Sequence, residues 1–262
     1  MSAPLPPLDA QAEETVDAAL ASFAREGYSR LGRVIDDETT AELGARVDDL
    51  MLARVRHEGM FFQRDSETGR YEDLSFGLGW QGPSLDYRKM EKLELDPVFA
   101  AYLRNPLFER IARRLIEGPI ALYRAVVFTK SARGGSDLPF HQDGGAFWGV
   151  DRMPTLQLWT ALDDCPLDGG CLEVVPRTHL SGLTTKEGGV VPKALLDGVE
   201  DRIVALPAVR GEVILVHNHL WHRSRRSQSG QRRSTLSVCY MSAATRCLRK
   251  KRAPRTFTTL FD

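Results

Sequence analysis

A disulfide motif, a membrane-spanning apolar run and a net charge are all missing from this 262-residue sequence. Its four cysteines, Cys165, Cys171, Cys239 and Cys247, form no C-x-x-C pair and lie in apolar or mixed segments, so they read as reduced packing residues. The opening MSAPLPPLDAQAEE is acidic and proline-bearing, without a basic n-region or an apolar h-region. No stretch approaches the ~18 apolar residues of a membrane span. These absences predict a cytoplasmic protein with no membrane partner. There is also no internal repeat and no helix-turn-helix, zinc-finger or RNA-recognition signature.

What is present is ordinary for a globular protein: 42% hydrophobic and 27% charged residues, enough at this length to bury a full core without staples. The 35 Lys plus Arg balance 35 Asp plus Glu, so net charge names no partner. Their distribution is uneven, with 12 basic and two acidic residues between Leu206 and Asp262. That cluster (Arg223, Arg225, Arg226, Arg232 and Arg233, then Arg246, Arg249, Lys250, Lys251, Arg252 and Arg255) reads as a solvated basic face or as the partner of an anionic ligand. Phosphate contacts to nucleic acid are the alternative.

The first 120 residues pattern as helices. Val16, Leu20, Phe23 and Ala24 share one face; Leu43, Val47, Leu50, Met51 and Val55 share another, with Asp36 or Asp37 as cap. Asp96-Pro97 and Asn105-Pro106 each place a capping side chain before a first-turn proline, and the second starts a helix ending at Gly118. Residues 61–93 carry weak signals and read as a long irregular segment of the kind that forms lids or binding walls. From Pro119 the pattern is β: Ala121–Lys130, Thr155–Asp164, Cys171–Val175, Glu212–Val216 and Thr235–Met241, separated by Gly, Pro and Ser clusters. Such short, evenly spaced strands predict a sandwich or barrel, not a parallel sheet. The expected organisation is a single domain over 1–262, with a mostly helical part (1–118) packed on a β core (119–262).

The chemistry-bearing stretch is Phe140-His141-Gln142-Asp143-Gly144-Gly145. On an extended chain His141 and Asp143 point to one side, so an imidazole and a carboxylate can take adjacent positions on one metal. A second imidazole from a distant strand completes a face and leaves three positions open, an arrangement suited to Fe(II) oxygenases. Val216-His217-Asn218-His219-Leu220-Trp221-His222 offers three candidates. Parity puts His217 and His219 with Leu215 and puts His222 with Ile214 and Val216, and periodicity alone does not choose between the faces.

Several motifs together resemble the phytanoyl-CoA dioxygenase family of Fe(II)/2-oxoglutarate oxygenases. They are Pro139–Asp143, Trp159-Thr160-Ala161-Leu162-Asp163, Gly170–Pro176 and Leu220-Trp221-His222-Arg223-Ser224, with a downstream arginine and the opening Phe23–Tyr28. The resemblance implies a double-stranded β-helix (jelly-roll, cupin-like) core with flanking helices. It makes His222 the distal ligand beside His141 and Asp143, and leaves His217 and His219 as packing or hydrogen-bonding residues. It implies Fe(II) as the metal, 2-oxoglutarate and O2 as cosubstrates, and hydroxylation of a small-molecule metabolite with release of succinate and CO2.

A buried cation must hold the distal carboxylate of 2-oxoglutarate, and the planar guanidinium fork suits it. The family places that arginine at Arg233, with Arg232 the one-off alternative that strand parity turns away. Ser224, Gln142 and Trp159 match positions lining the cosubstrate pocket, and Lys130 is a further contact to cosubstrate or substrate. Phe147, Trp148, Phe61, Phe62, Trp80 and Tyr87 are candidates for an apolar substrate wall, with Arg88 or Arg177 as anion anchor. His179, in the turn Pro176-Arg177-Thr178-His179, is expected to be a turn residue. The carboxylate at Asp143 argues against halogenation, which in related enzymes goes with a small residue there. A non-oxidative cupin-like metal protein, using the same ligands without needing Arg233, is the second alternative.

Overall fold

The computed structural model describes residues 13–250 and 255–262, so the opening segment and Lys251 and Arg252 of the basic cluster lie outside the described residues. In chain order the elements are α1 (Glu13–Glu26), β1 (Tyr28–Arg33), α2 (Asp37–Met51), β2 (Phe61–Arg64), β3 (Tyr87–Glu91), α3 (Pro97–Tyr102) and α4 (Pro106–Leu115). There follow β4 (Ile120–Lys130), β5 (Leu138–Gln142), β6 (Leu156–Ala161), β7 (Leu172–Val175), β8 (Gly189–Val190), β9 (Val204–Leu206), β10 (Glu212–His217), β11 (Trp221–Ser224), β12 (Arg233–Ser242) and β13 (Thr259–Phe261).

The helices begin where capping chemistry directs. Asp36 accepts from Thr39 N at 2.7 Å, Asp96 from Val98 N at 3.0 Å and Asn105 from Leu107 N at 2.9 Å, the last two with proline at the first helical position. α4 stops at Leu115, three residues before Gly118.

All strand pairs are antiparallel. The large sheet runs β1-β10-β6-β12-β4-β3-β2 with β13 beside β4, and the smaller runs β8-β5-β11-β7-β9. Alternation along each strand sorts the two faces. Leu156 and Leu158 on β6, Val213 and Leu215 on β10, and Leu236 and Val238 on β12 pack under Phe23, Val47, Leu50, Phe99, Phe108 and Ile111 of the helices. Trp159, Ala161, Ile214 and Val216 turn the other way, onto Leu172, Val174 and Leu206 of the smaller sheet. Each such fully buried aliphatic side chain stabilises the fold by ~1.5–3 kcal/mol. Two facing antiparallel sheets with this strand order form the jelly-roll core expected from the sequence.

The large sheet also reaches into the segment expected to be mostly helical, because β1, β2 and β3 all belong to it. β1 carries two arginines and a glycine, and β2 has four residues, so neither presents a readable period-two pattern. Residues 65–86 are irregular apart from one short 3-10 turn at Tyr71–Asp73. Among the described residues no helix is long and apolar enough to cross a membrane.

Candidate metal centre

β5 and β11 are neighbours in the smaller sheet, and their register sets His141 directly opposite His222. The imidazole centroids are 4.1 Å apart. Asp143 lies one residue beyond β5, where its N–H donates to Asn218 O at 2.7 Å, in the turn leading to β11. The chain then turns sharply through Gly144-Gly145. At Gly145 (φ 84°) a Cβ would come within 2.3 Å of the Glu187 backbone, so only glycine fits. Strand pairing and this turn hold the three side chains together: one ligand atom from each of His141, Asp143 and His222 lies within 4.8 Å of the others.

The hydrogen bonds fix which atoms are available. His141 Nδ1 is 2.9 Å from Pro139 O and His222 Nδ1 is 2.8 Å from Leu220 O. A carbonyl only accepts, so each Nδ1 carries a proton, and Nε2 is the ring atom left to hold a metal. Burial, and then the neighbouring His222, lowers the His141 pKa to about 3, which keeps its ring neutral. Burial works against a charged Asp143, but Arg124, His222 and His141 outweigh it and hold the carboxyl at about 2. Arg124 Nη2 is 2.9 Å from Asp143 Oδ1. Two imidazoles and one ionised carboxylate, converging on one point, suit a divalent first-row metal.

The centre opens on a cavity of about 1160 Å³, bordered by β4, β6 and β12 on one side and by β5 and β11 on the other. Arg233, Lys130, Ser224 and Trp159 all border it. Arg233 is buried and donates to the carbonyls of Gly169 and Gly170. Lys130, its cross-strand partner, donates to Ser224 O at 3.2 Å and to Ser136 O. Arg232 points the opposite way, to Asp48 on α2, as alternation requires.

Gln142 is brought close but is otherwise engaged. Its Nε2 donates to Gly182 O (2.8 Å) and His219 O (2.6 Å), and its Oε1 accepts from Thr184 N (2.7 Å) and Thr184 Oγ1 (2.9 Å). Gln142 borders the cavity as well, and with these four hydrogen bonds its side chain clamps two loops. His217 packs on Phe23 and His179, and accepts from His219 N through Nδ1 at 3.0 Å. His179 sits in the expected turn and bonds Ala24 O at 3.0 Å.

The aromatic candidates divide. Phe61, Phe147 and Trp148 border the cavity, whereas Phe62 and Tyr87 face the helical core and Trp80 packs beside it under Arg56. Arg88 borders the cavity, but Arg177 does not: it is exposed and binds Glu26 of α1 with two nitrogens. The basic cluster is dispersed across separate partners, with Arg223 and Arg225 on Glu173 and Arg246 on Asp151. Lys89, Glu91, Tyr123 and Arg124, all on the cavity wall, were not singled out by the sequence.

A jelly roll with two imidazoles and a carboxylate at the head of its inter-sheet cavity defines the class: a mononuclear metal-centre protein of the double-stranded β-helix fold. Within that class the chain belongs to the phytanoyl-CoA dioxygenase (PhyH) family, whose model matches residues 23–235. The phytanoyl-CoA dioxygenase domain-containing protein 1 of Bos taurus is 29% identical over 160 residues, 57% of this chain and 55% of that one. The L-proline trans-4-hydroxylase of Streptomyces griseoviridis is 28% identical over 176 residues, 56% of this chain and 64% of that one. The chain thus spans about half the length of the first curated relatives it matches.

Among solved structures, EctD from S. alaskensis with 2-oxoglutarate and 5-hydroxyectoine superposes with a TM-score of 0.70 at 20% identity, covering 93% of this chain and 80% of that one. The epimerase SnoN in complex with Fe3+, alpha ketoglutarate and nogalamycin RO gives 0.67 at 21% identity, covering 92% and 89%. At these identities the likeness establishes the fold.

Proposed function

We propose that the protein is an Fe(II)/2-oxoglutarate-dependent dioxygenase that hydroxylates a small-molecule metabolite. The observation that carries this reading is the convergence of His141, Asp143 and His222 at one end of a cavity that also holds a buried arginine without a carboxylate partner. The three side chains would hold Fe(II) through Nε2, Nε2 and a carboxylate oxygen. Arg233 would take the distal carboxylate of 2-oxoglutarate, assisted by Lys130 and the Ser224 hydroxyl, with Trp159 along the wall. When bound, the iron would couple oxidative decarboxylation of 2-oxoglutarate by O2 to oxidation of a C–H bond, giving succinate and CO2.

The chain's own part is to orient and to exclude. The Pro139 and Leu220 carbonyls fix the imidazoles, Arg124 fixes Asp143, and the apolar wall keeps water from the reacting groups. The relatives named above act on or bind L-proline, 5-hydroxyectoine and nogalamycin RO, molecules too different from one another to pass a substrate identity to this chain.

Incubation with Fe(II), O2 and 2-oxoglutarate labelled at C1 tests the reading. Labelled CO2 and stoichiometric succinate are expected, dependent on Fe(II) and lost in His222→Ala. No succinate above the metal-free blank across a broad substrate panel would contradict it. Metal retention with no effect of 2-oxoglutarate would favour the non-oxidative metal protein instead.

A further inference from the structure

Two register breaks in the large sheet shape the cavity wall opposite Arg233. Between β2 and β3 the pairing steps from Gln63↔Lys89 to Arg64↔Tyr87, which makes Arg88 the extra residue. Between β12 and β4 it steps from Cys239↔Arg124 to Tyr240↔Leu122, which makes Tyr123 the extra residue. A bulge shifts the in–out alternation by one position and re-aims a side chain. Tyr87 and Met90, like Leu122 and Ala125, accordingly face the helical core, while the consecutive pairs Arg88-Lys89 and Tyr123-Arg124 both border the cavity. Three of these four side chains are cationic.

The charge around the cavity is then one-sided. Arg88, Lys89, Arg124, Lys130, Arg233 and Arg255 border it against Glu91 and Asp143. The exposed Lys92 and Arg249 border it too, as do Glu94 and Glu187, and Arg223 pairs with Glu173. Lys89 is 2.5 Å from Glu91, and its ammonium stands 5.7 Å from the Phe61 ring centre and 5.9 Å from that of Phe128. Arg124 reaches Asp143 with one nitrogen, its Nε is buried with no partner, and it lies 4.8 Å over Trp148. Arg255 lies 4.7 Å over Tyr123, which stacks on Trp148 at 4.2 Å. On this wall Arg88, Lys89, Arg124 and Arg255 outnumber Glu91 and Asp143, so positive charge is in surplus. Half-buried cations are costly unless an anion shares the site. Beside them stand apolar side chains with no protein cover, Phe147 at 77% and Phe76 at 67% exposure.

Resting on the oxygenase reading, we infer that the substrate is an amphipathic organic monocarboxylate, its carboxylate seated between Lys89 and Arg124 and its apolar body against Phe61, Phe128 and Phe147. The planar guanidinium of Arg124, with its Nε free, suits a carboxylate beside the Lys89 ammonium. The hydrocarbon is thereby directed past the metal ligands, and the anion completes the coordination of two cations that the bulges turn inward.

The test uses the full chain loaded with Zn(II), a redox-inert stand-in, with and without 2-oxoglutarate. Calorimetric titration compares octanoate, octanamide, octylammonium and octyl phosphate. Octanoate is expected to bind about ten- to a hundredfold more tightly than octanamide, the worth of one charge-assisted hydrogen-bonded contact, and more tightly than the other two. In Lys89→Met the preference for octanoate over octanamide should disappear, with 2-oxoglutarate affinity measured alongside to verify an intact site. Equal binding of octanoate and octanamide, tighter binding of octyl phosphate, or a preference that survives Lys89→Met would overturn the inference. A wild-type protein that failed to bind 2-oxoglutarate would instead overturn the oxygenase reading, and the probe comparison made without 2-oxoglutarate would still decide this one.

Discussion

Lys130 and Arg233 are direct partners across the β4–β12 ladder, and both side chains are buried. Like charges opposite one another destabilise a sheet, and here neither meets a carboxylate: their hydrogen bonds run to backbone carbonyls and to the Thr235 hydroxyl. Burial, and then the charge of Arg233, pulls the Lys130 ammonium well below its ordinary range. A dicarboxylate with one end on a metal and the other between these cations would relieve the strain on both.

That arrangement predicts a large thermal response to 2-oxoglutarate. At a ligand concentration of about 100 Kd the metal-loaded protein gains ~2.7 kcal/mol, which for a chain of this length raises Tm by roughly 5–10 °C. The keto acid 2-oxobutanoate lacks the distal carboxylate and should give little shift. In Arg233→Met the two keto acids should behave alike. A full response to 2-oxobutanoate in the wild type would place the distal carboxylate elsewhere.

Arg124 is predicted to tune the metal through Asp143 while remaining outside the ligand set. Arg124→Met removes the counter-charge on Asp143 Oδ1, and metal affinity should fall by roughly 10–100-fold, with Arg124→Lys intermediate. Equilibrium competition with a chelator measures this. Unchanged affinity in Arg124→Met would show that the ion pair does not set the carboxylate.

Gln142 should behave as a structural clamp. Gln142→Ala strips partners from Gly182, His219 and Thr184, and each buried group left unsatisfied costs ~1–3 kcal/mol. A loss of about 2–4 kcal/mol of stability is expected in denaturant unfolding, with 2-oxoglutarate affinity within about twofold of wild type. The reverse pattern, stability kept and cosubstrate affinity lost, would make Gln142 a cosubstrate contact and not a clamp.

The histidines set the acid limit of the metal-free protein. Burial lowers His141 and His217 to about 3 and also lowers His219. Between the ordinary histidine value of 6.5 and those depressed values, the unfolded chain binds protons that the folded chain refuses. Stability therefore rises with pH across that window and is lost as pH falls below about 6.5, by at most ~1.4 kcal/mol per pH unit for each histidine. Asp143, held at about 2, adds its loss only below its ordinary value of 3.8. The Tm of the metal-free chain should fall steadily from pH 6.5 to 4.5. The fall should be shallower in His217→Asn, whose Oδ1 can still accept from His219 N. An identical slope in the variant would remove His217 from the account.

Much of this architecture was legible in the residues. Capping pairs at Asp96-Pro97 and Asn105-Pro106 announced two helices, period-two alternation announced β6, and β-branched or turn-bounded runs announced β4, β10 and β12. Parity also separated Arg233, toward the cavity, from Arg232, toward α2. The same parity opposes Gln142 to His141 and Asp143, although it too borders the cavity. Parity alone did not rank His217, His219 and His222, because the turn at residues 218–220 between β10 and β11 interrupts the alternation. Arg124 and Lys89 escaped notice for a related reason. A period of two assigns Tyr123 and Arg124 to opposite faces, and the extra residue that puts them on one face is fixed by the partner strand. β1 and β2 were missed because four to six polar-rich residues at one edge of a sheet carry too few alternations to read.

The central claim is that His141, Asp143 and His222 jointly bind one metal ion that 2-oxoglutarate then shares. Anaerobic titration of the full chain with Fe(II), with and without 2-oxoglutarate, measures it. One tightly bound Fe(II) per chain is predicted, tightened further by 2-oxoglutarate and abolished in His141→Ala, Asp143→Ala and His222→Ala alike. Wild-type iron affinity in any of the three variants would contradict the account.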